Sequence, residues 1–146
     1  MKLIQKIASK QTYTVRNSVL RQRKPIESCH FDGDDLETTA HFGLFIDKNI
    51  VGIVSVFQNK SDIFVPENQY QIRGMAVIDD FQQKGFGREL VLYCENYILT
   101  KNSNLIWFNA RENAVEFYQK LGYSTHGNSF IIDGIGSHYV MYKMLA

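Results

Sequence analysis

Val77-Ile78-Asp79-Asp80-Phe81-Gln82-Gln83-Lys84-Gly85-Phe86-Gly87-Arg88 is the stretch on which the reading of this chain turns. The residues before it, Gln69 to Ile78, are rich in β-branched and apolar side chains and predict a strand. Gly74 lies inside that strand, where glycine marks a bulge or a close backbone approach. After the stretch, Leu90, Val91, Cys94, Tyr97 and Ile98 recur at spacings of three and four, which predicts a helix from about Gly87. A strand therefore feeds a helix through a turn with two glycines at the helix entry. Such a turn aims several backbone N–H groups into one concavity, and the helix N-terminus adds partial positive charge. The glycines let the backbone approach an anion without a Cβ in the way. The arrangement suits a pyrophosphate, with Lys84 and Arg88 near enough to supplement it.

Two common phosphate-binding loops fail on residues. A dinucleotide-binding turn needs a third glycine where Leu90 stands. A nucleoside-triphosphate loop ends in Gly-Lys-Ser/Thr, whereas Gly87 is followed by Arg88 and Glu89.

Outward from the turn, Leu105 to Phe108 predicts a short buried strand. Ala114, Phe117, Tyr118 and Leu121 share a face of a second helix, which Gly122 closes. Phe130 to Ile132 and His138 to Met144 predict two final strands. Upstream, HFGLFI and IVGIVSVF flank Asp47-Lys48-Asn49 and predict a hairpin. Thr12 to Leu20 mixes Tyr13, Val19 and Leu20 with Arg16 and predicts a first helix, followed by a loop from Arg23 to Asp35. The order is helix, antiparallel strands, then strand–helix–strand–helix–strand. It predicts one mixed α/β (α+β) domain over residues 1–146, built on one curved sheet.

The bulk properties agree. A chain of 146 residues with 45% hydrophobic and 21% charged residues can bury a core without staples. A net charge of +1 supplies no field to hold nucleic acid by its phosphates. Cys29 and Cys94 have no metal-ligand spacing and read as reduced thiols, so no metal is expected. The opening MKLIQKIASKQTYTV lacks a signal peptide's apolar run, and no stretch reaches membrane-spanning length. A cytoplasmic protein without membrane or nucleic-acid partners is expected.

Two motifs, in order and with a strand between them, carry a family resemblance. Gln82-x-x-Gly85-x-Gly87, preceded by Met75-Ala76-Val77, resembles the acetyl-CoA signature of the GNAT N-acetyltransferases. Ala114-Val115-Glu116-Phe117-Tyr118-Gln119-Lys120-Leu121-Gly122-Tyr123, just after Asn113, is similar to that family's Ala-x-x-Phe-Tyr-x-x-x-Gly-Phe/Tyr motif. The resemblance covers roughly residues 40 to 145. One departure is Asp79, which stands where the family usually has proline. The resemblance implies a GNAT-type fold: a mixed, curved sheet with helices on both faces and a splay between the two central parallel strands.

The resemblance also implies roles. Met75, Ala76 and Val77 would pair by their backbone with the pantetheine arm of acetyl-CoA, and Val77 N–H would polarise the thioester carbonyl. N–H groups from Gln82 through Gln83, Lys84, Gly85, Phe86 and Gly87 to Arg88 would cradle the pyrophosphate. Asn109 and Asn113 would line the other side. Tyr118 would serve the CoA thiolate as general acid. His138, in a tail similar to a His-x-x-Met ending of some subfamilies, is a candidate general base, as are Glu37, His41 and a water chain. The acceptor would be the primary amine of a small molecule or peptide, chosen by the first helix, the loop after it and the last strands. Asp32, Asp34, Asp35 and Glu37 read either as an attractor for a cationic amine or as a solvated acidic loop. The family's habits make a homodimer an expectation. An acyl-CoA-binding sensor would use the same pocket without needing Tyr118, and a nucleotide binder would prefer ATP.

Overall fold

The computed structural model describes residues 1–145. Seven strands form one sheet in the order β1-β2-β3-β4-β5-β7-β6. These are β1 (Lys2–Ile7), β2 (Ala40–Ile46), β3 (Asn49–Gln58), β4 (Gln69–Val77), β5 (Leu105–Arg111), β6 (Ser124–Ile132) and β7 (Gly136–Met144). Every neighbouring pair is antiparallel except β4 with β5. The predicted hairpin is β2–β3, and its turn places Asp47 and Lys48 at φ 48° and 76°. Two successive left-handed residues are what a two-residue hairpin turn with matching twist requires.

The sheet is covered on both faces. Helix α2 (Phe86–Leu99) lays Leu90, Val91, Cys94 and Ile98 against Phe42, Leu44, Val54, Val56 and Ile72, all buried. The short α3 (Val115–Lys120) adds Tyr118 to this face. On the opposite face Val15 packs with Ile7, Ile53 and Ala76. Val15 belongs to α1 (Tyr13–Val15), one turn between a 3₁₀ turn (Ser9–Thr12) and an i→i+5 turn (Arg16–Leu20). The helix predicted from Thr12 is thus three turns of different pitch over residues 9–20, and β1 precedes it where no strand was expected. β1 is an edge strand exposed at most positions, so its sequence carries no clean alternation of apolar and polar residues.

Arg16, a charged residue of those N-terminal turns, is fully buried. Its guanidinium meets the carboxylate of Asp34 at 2.7 and 3.1 Å, and also donates to the Cys29 carbonyl at 2.7 Å and to Ser55 Oγ at 3.0 Å. Phe31 N–H donates to the same carboxylate at 2.9 Å. Burial alone would push the Asp34 carboxyl up; the Arg16 guanidinium and the Phe31 N–H outweigh it and hold it below the usual range. His41 is buried beside the pair. Its Nε2 donates to Asp34 O at 2.9 Å, so Nδ1 accepts from Ser55 Oγ at 2.6 Å. One network thereby ties residues 16–34 to the β2–β3 face.

Arg16→Met is expected to cost about 3–5 kcal/mol, because Asp34 is left buried without its partner; urea unfolding at pH 7 measures it. His41 supplies a pH dependence. Burial lowers its folded pKa below 6.5, so on acidification through 6.5 the unfolded chain takes up a proton that the folded chain refuses. Stability is therefore expected to fall as the pH drops below about 6.5, and His41→Gln to flatten that part of the profile of urea midpoint against pH.

Candidate active site

The β4–β5 ladder is short. Only Gln69, Tyr70 and Gln71 pair with Leu105, Ile106 and Trp107, and beyond Trp107 the strands part. Part of the cause is in β4. Opposite the step from Ile53 to Ser55 the register slips by one residue, and Gly74 takes φ 65° there. A Cβ at Gly74 would sit 3.0 Å from the Phe31 ring and 3.4 Å from Arg16 Nε, so the bulge is also a close approach. On the far side β5 carries on beside β7 to Arg111, opposite His138.

The gap opens into two adjoining cavities of about 610 and 640 Å³. Val19, Met75, Ala114 and Tyr118 line both. The second cavity is walled by Ala76, Val77, Gln82, Gln83, Gly85, Phe86, Gly87, Arg88 and Asn113, the turn on which the sequence reading began. Lys84 is exposed in that turn and does not line the cavity. The first cavity takes Asn109 and His138 from the other side. Of the residues singled out in the sequence, all but Lys84, His41 and the carboxylates Asp32, Asp34, Asp35 and Glu37 meet at this gap. Glu37 is exposed and His41 belongs to the buried Arg16 network, so neither faces a reacting group.

The turn is built to leave donors free. Gln83 and Gly85 have φ 61° and 83°, and Gly85 caps α2 without a side-chain hydrogen bond. Among the described residues no acceptor takes the backbone N–H groups of Gln83, Lys84, Gly85, Phe86, Gly87 or Arg88. Unpaired donors at a helix N-terminus favour an anion. Gln82 departs from expectation, for its N–H is committed to Asp79 O at 3.2 Å. Its side chain donates to Val77 O at 2.9 Å and to Asp79 Oδ1 at 3.2 Å. Gln82 therefore fixes the end of β4 against the turn, and Asp79, in place of proline, supplies one of the anchors. Ile78 N–H points to β3, where it donates to Val51 O at 2.9 Å. The pleat then turns the Val77 N–H the other way, into the gap.

Tyr118 stands where the two cavities join. Its ring packs 4.4 Å from Phe108 and 5.0 Å from Phe117, centroid to centroid. Behind it Tyr123 donates to Glu95 Oε2 at 2.9 Å, and Lys143 reaches the same carboxylate at 3.2 Å. Burial, with the nearby Cys94, raises the Tyr118 pKa, so the phenol stays protonated. Among the described residues its hydroxyl has no hydrogen-bond partner. His138 is buried, and its Nδ1 donates to Gly136 O at 2.8 Å, which leaves Nε2 as the accepting nitrogen.

The comparisons fit this geometry. A family model described as an acetyltransferase (GNAT) domain matches residues 26–145. This chain belongs to the GNAT family. It is accordingly an acyltransferase of the N-acetyltransferase type. The GNAT chain is 32% identical over 142 residues to the uncharacterized N-acetyltransferase YitI of Bacillus subtilis (strain 168), covering 97% of this chain and 95% of that protein. It is similar in fold to the ribosomal-protein-S18-alanine N-acetyltransferase of Escherichia coli, with TM-score 0.78, 17% identity and coverage of 100% and 95%. It is also similar in fold to an aminoglycoside 6'-N-acetyltransferase complexed with coenzyme A, with TM-score 0.76, 13% identity and coverage of 97% and 96%.

Sequence reasoning missed four side chains of the first cavity. Arg21, Lys24, Arg73 and Arg111 all line it, and they come from three separate places in the chain. No local pattern joins them, so nothing short of the fold assembles them.

Proposed function

We propose that this GNAT chain transfers an acetyl group from acetyl-CoA to a primary amine by direct attack within a ternary complex. The observation that carries the reading is the row of six unpaired N–H groups, Gln83 to Arg88, beside a sheet gap that ends at Tyr118. The neighbour held with coenzyme A supports a CoA thioester as donor.

The row receives the pyrophosphate, and the freed edge of β4 from Met75 to Val77 pairs with the pantetheine arm as an added strand would. That directs the thioester toward Tyr118, with the amine entering from the first cavity. Val77 N–H is placed to polarise the carbonyl as negative charge develops on its oxygen. The amine nitrogen bonds to the carbonyl carbon, the C–S bond breaks, and the sulfur leaves with the electron pair. A CoA thiol has a pKa of about 8.5, well below that of the buried phenol. Tyr118 therefore acts chiefly by donating a hydrogen bond to the leaving thiolate. The nitrogen loses its proton to His138 Nε2, or through water to solvent. Holding both reactants side by side supplies much of the acceleration.

Two measurements test this. Calorimetric titration with acetyl-CoA should show one saturable site, with ATP and NADH not competing. Gly85→Glu should abolish it, since a residue with φ 83° loses its glycine and a carboxylate enters the cradle. No binding to a folded protein would sink the reading. Tyr118→Phe should lower kcat roughly 100-fold and leave acetyl-CoA affinity unchanged. Unchanged turnover would remove Tyr118 from the chemistry, and binding without turnover on any amine would favour a sensor.

A further inference from the structure

The first cavity, on the acceptor side of Tyr118, is lined by four cations and by no carboxylate. Arg21, Lys24, Arg73 and Arg111 contribute side chains to its wall. Among the described residues none of the four forms an ion pair or a side-chain hydrogen bond with the protein. Asp133, in the turn between β6 and β7, lies outside the wall although its neighbours Ile132 and Gly134 are in it. Of the acidic loop that the sequence offered as an attractor for a cationic amine, Asp32 and Glu37 are exposed and outside the wall, and the other two carboxylates are engaged elsewhere. Asp34 is buried against Arg16, and Asp35 accepts from Ser9 at 2.6 Å and pairs with His30 at 3.3 Å.

The basic wall is built rather than loose. Arg73 is half-buried, and its guanidinium lies 4.8 Å from the Phe31 ring centroid and 5.1 Å from that of Phe57. The Phe31 ring also meets Arg16 at 3.9 Å and Arg21 at 5.7 Å. Three guanidinium groups thus surround one ring, and Asp34 among them is bidentate to Arg16. Arg21 and Lys24 are positioned by Asn17, whose amide donates to both of their carbonyl oxygens, at 3.3 and 3.0 Å. Burial pulls the Arg73 pKa down, and Arg16 and Arg21 push the same way; Asp34 and Asp32 oppose them and do not prevail. Positive charge held unpaired in a concavity is unfavourable until an anion enters. The planar fork of Arg73, already stacked, is suited to a carboxylate or phosphate.

We infer that the amine acceptor carries an anionic group, a carboxylate or a phosphate, which Arg73 binds with Arg21, Lys24 and Arg111 while the amine faces the thioester. This rests on the acyltransfer reading above and narrows its acceptor class. Arg73 precedes Met75 by two residues, across the Gly74 bulge, so amine and anion belong to one compact molecule or chain end.

The test separates the two readings. With coenzyme A saturating the second cavity, phosphoserine and glutamate are titrated calorimetrically against spermidine and lysine amide. Coenzyme A binding is checked first, and its absence removes the acyltransfer reading and this one with it. With coenzyme A bound, the two acidic amines are expected to saturate, to weaken with added salt, and to lose about 10- to 100-fold in affinity in Arg73→Gln. Arg73→Lys should recover part of that loss, and coenzyme A affinity should be the same in both variants. Preference for spermidine or lysine amide overturns the inference. So does equal binding of both charge classes, or no binding of the acidic amines at millimolar concentration.

Discussion

The structure depends on the place where one ladder of hydrogen bonds stops. β4 and β5 are the sheet's one parallel pair, and three residue pairs are all they share. A continuous ladder would bury the backbone of Met75 to Val77 in the sheet. Because it ends at Gln71 and Trp107, the side of that backbone turned away from β3 has no partner strand. Around the gap the neighbours are paired and packed: β3 holds the outer edge of β4, β7 holds β5 along its whole length, and α2 packs across the back. The gap is thus part of the fold itself.

Two buried polar networks brace this opening from opposite faces. Arg16, Asp34, Ser55 and His41 lock the N-terminal turns and the following loop onto β2 and β3. Glu95, Tyr123 and Lys143 lock α2 to the strand after α3. Each network fixes an aromatic wall, Phe31 in the first case and Tyr118 in the second. Such networks contribute less to net stability than to uniqueness, since their desolvation offsets most of their attraction. Their value here is positional: a ring set by several hydrogen bonds cannot slide along its sheet.

Much of this was legible in the sequence wherever the information was local. The β2–β3 hairpin showed in Asp47-Lys48, the helix α2 in its apolar stripe, and the cradle in Gly85 and Gly87. Even the bulge was signalled by a glycine inside β4. What escaped was non-local or lacked contrast. β1 and the first half of β6, Ser124 to Ser129, are exposed and mostly polar, so alternation gave no signal. The burial of Arg16 left no local sign, because its partners stand 18 and 39 residues away. Lys84 fits the turn by position, yet its side chain leaves the cavity wall, a matter of rotamer and backbone angle that spacing does not specify.

The two sides of the gap draw on the chain differently. The anion cradle is a single run of six residues, continuous with β4 and α2. The opposing wall draws Val19, Leu20, Arg21 and Lys24 from the first 25 residues, a stretch ahead of the part that the family model matches. Substitutions there leave the glycine turn and its backbone donors untouched. The first cavity's wall is thus a composite, part of it set by a segment ahead of the family match and part, with Arg73 and Arg111, by strands inside it.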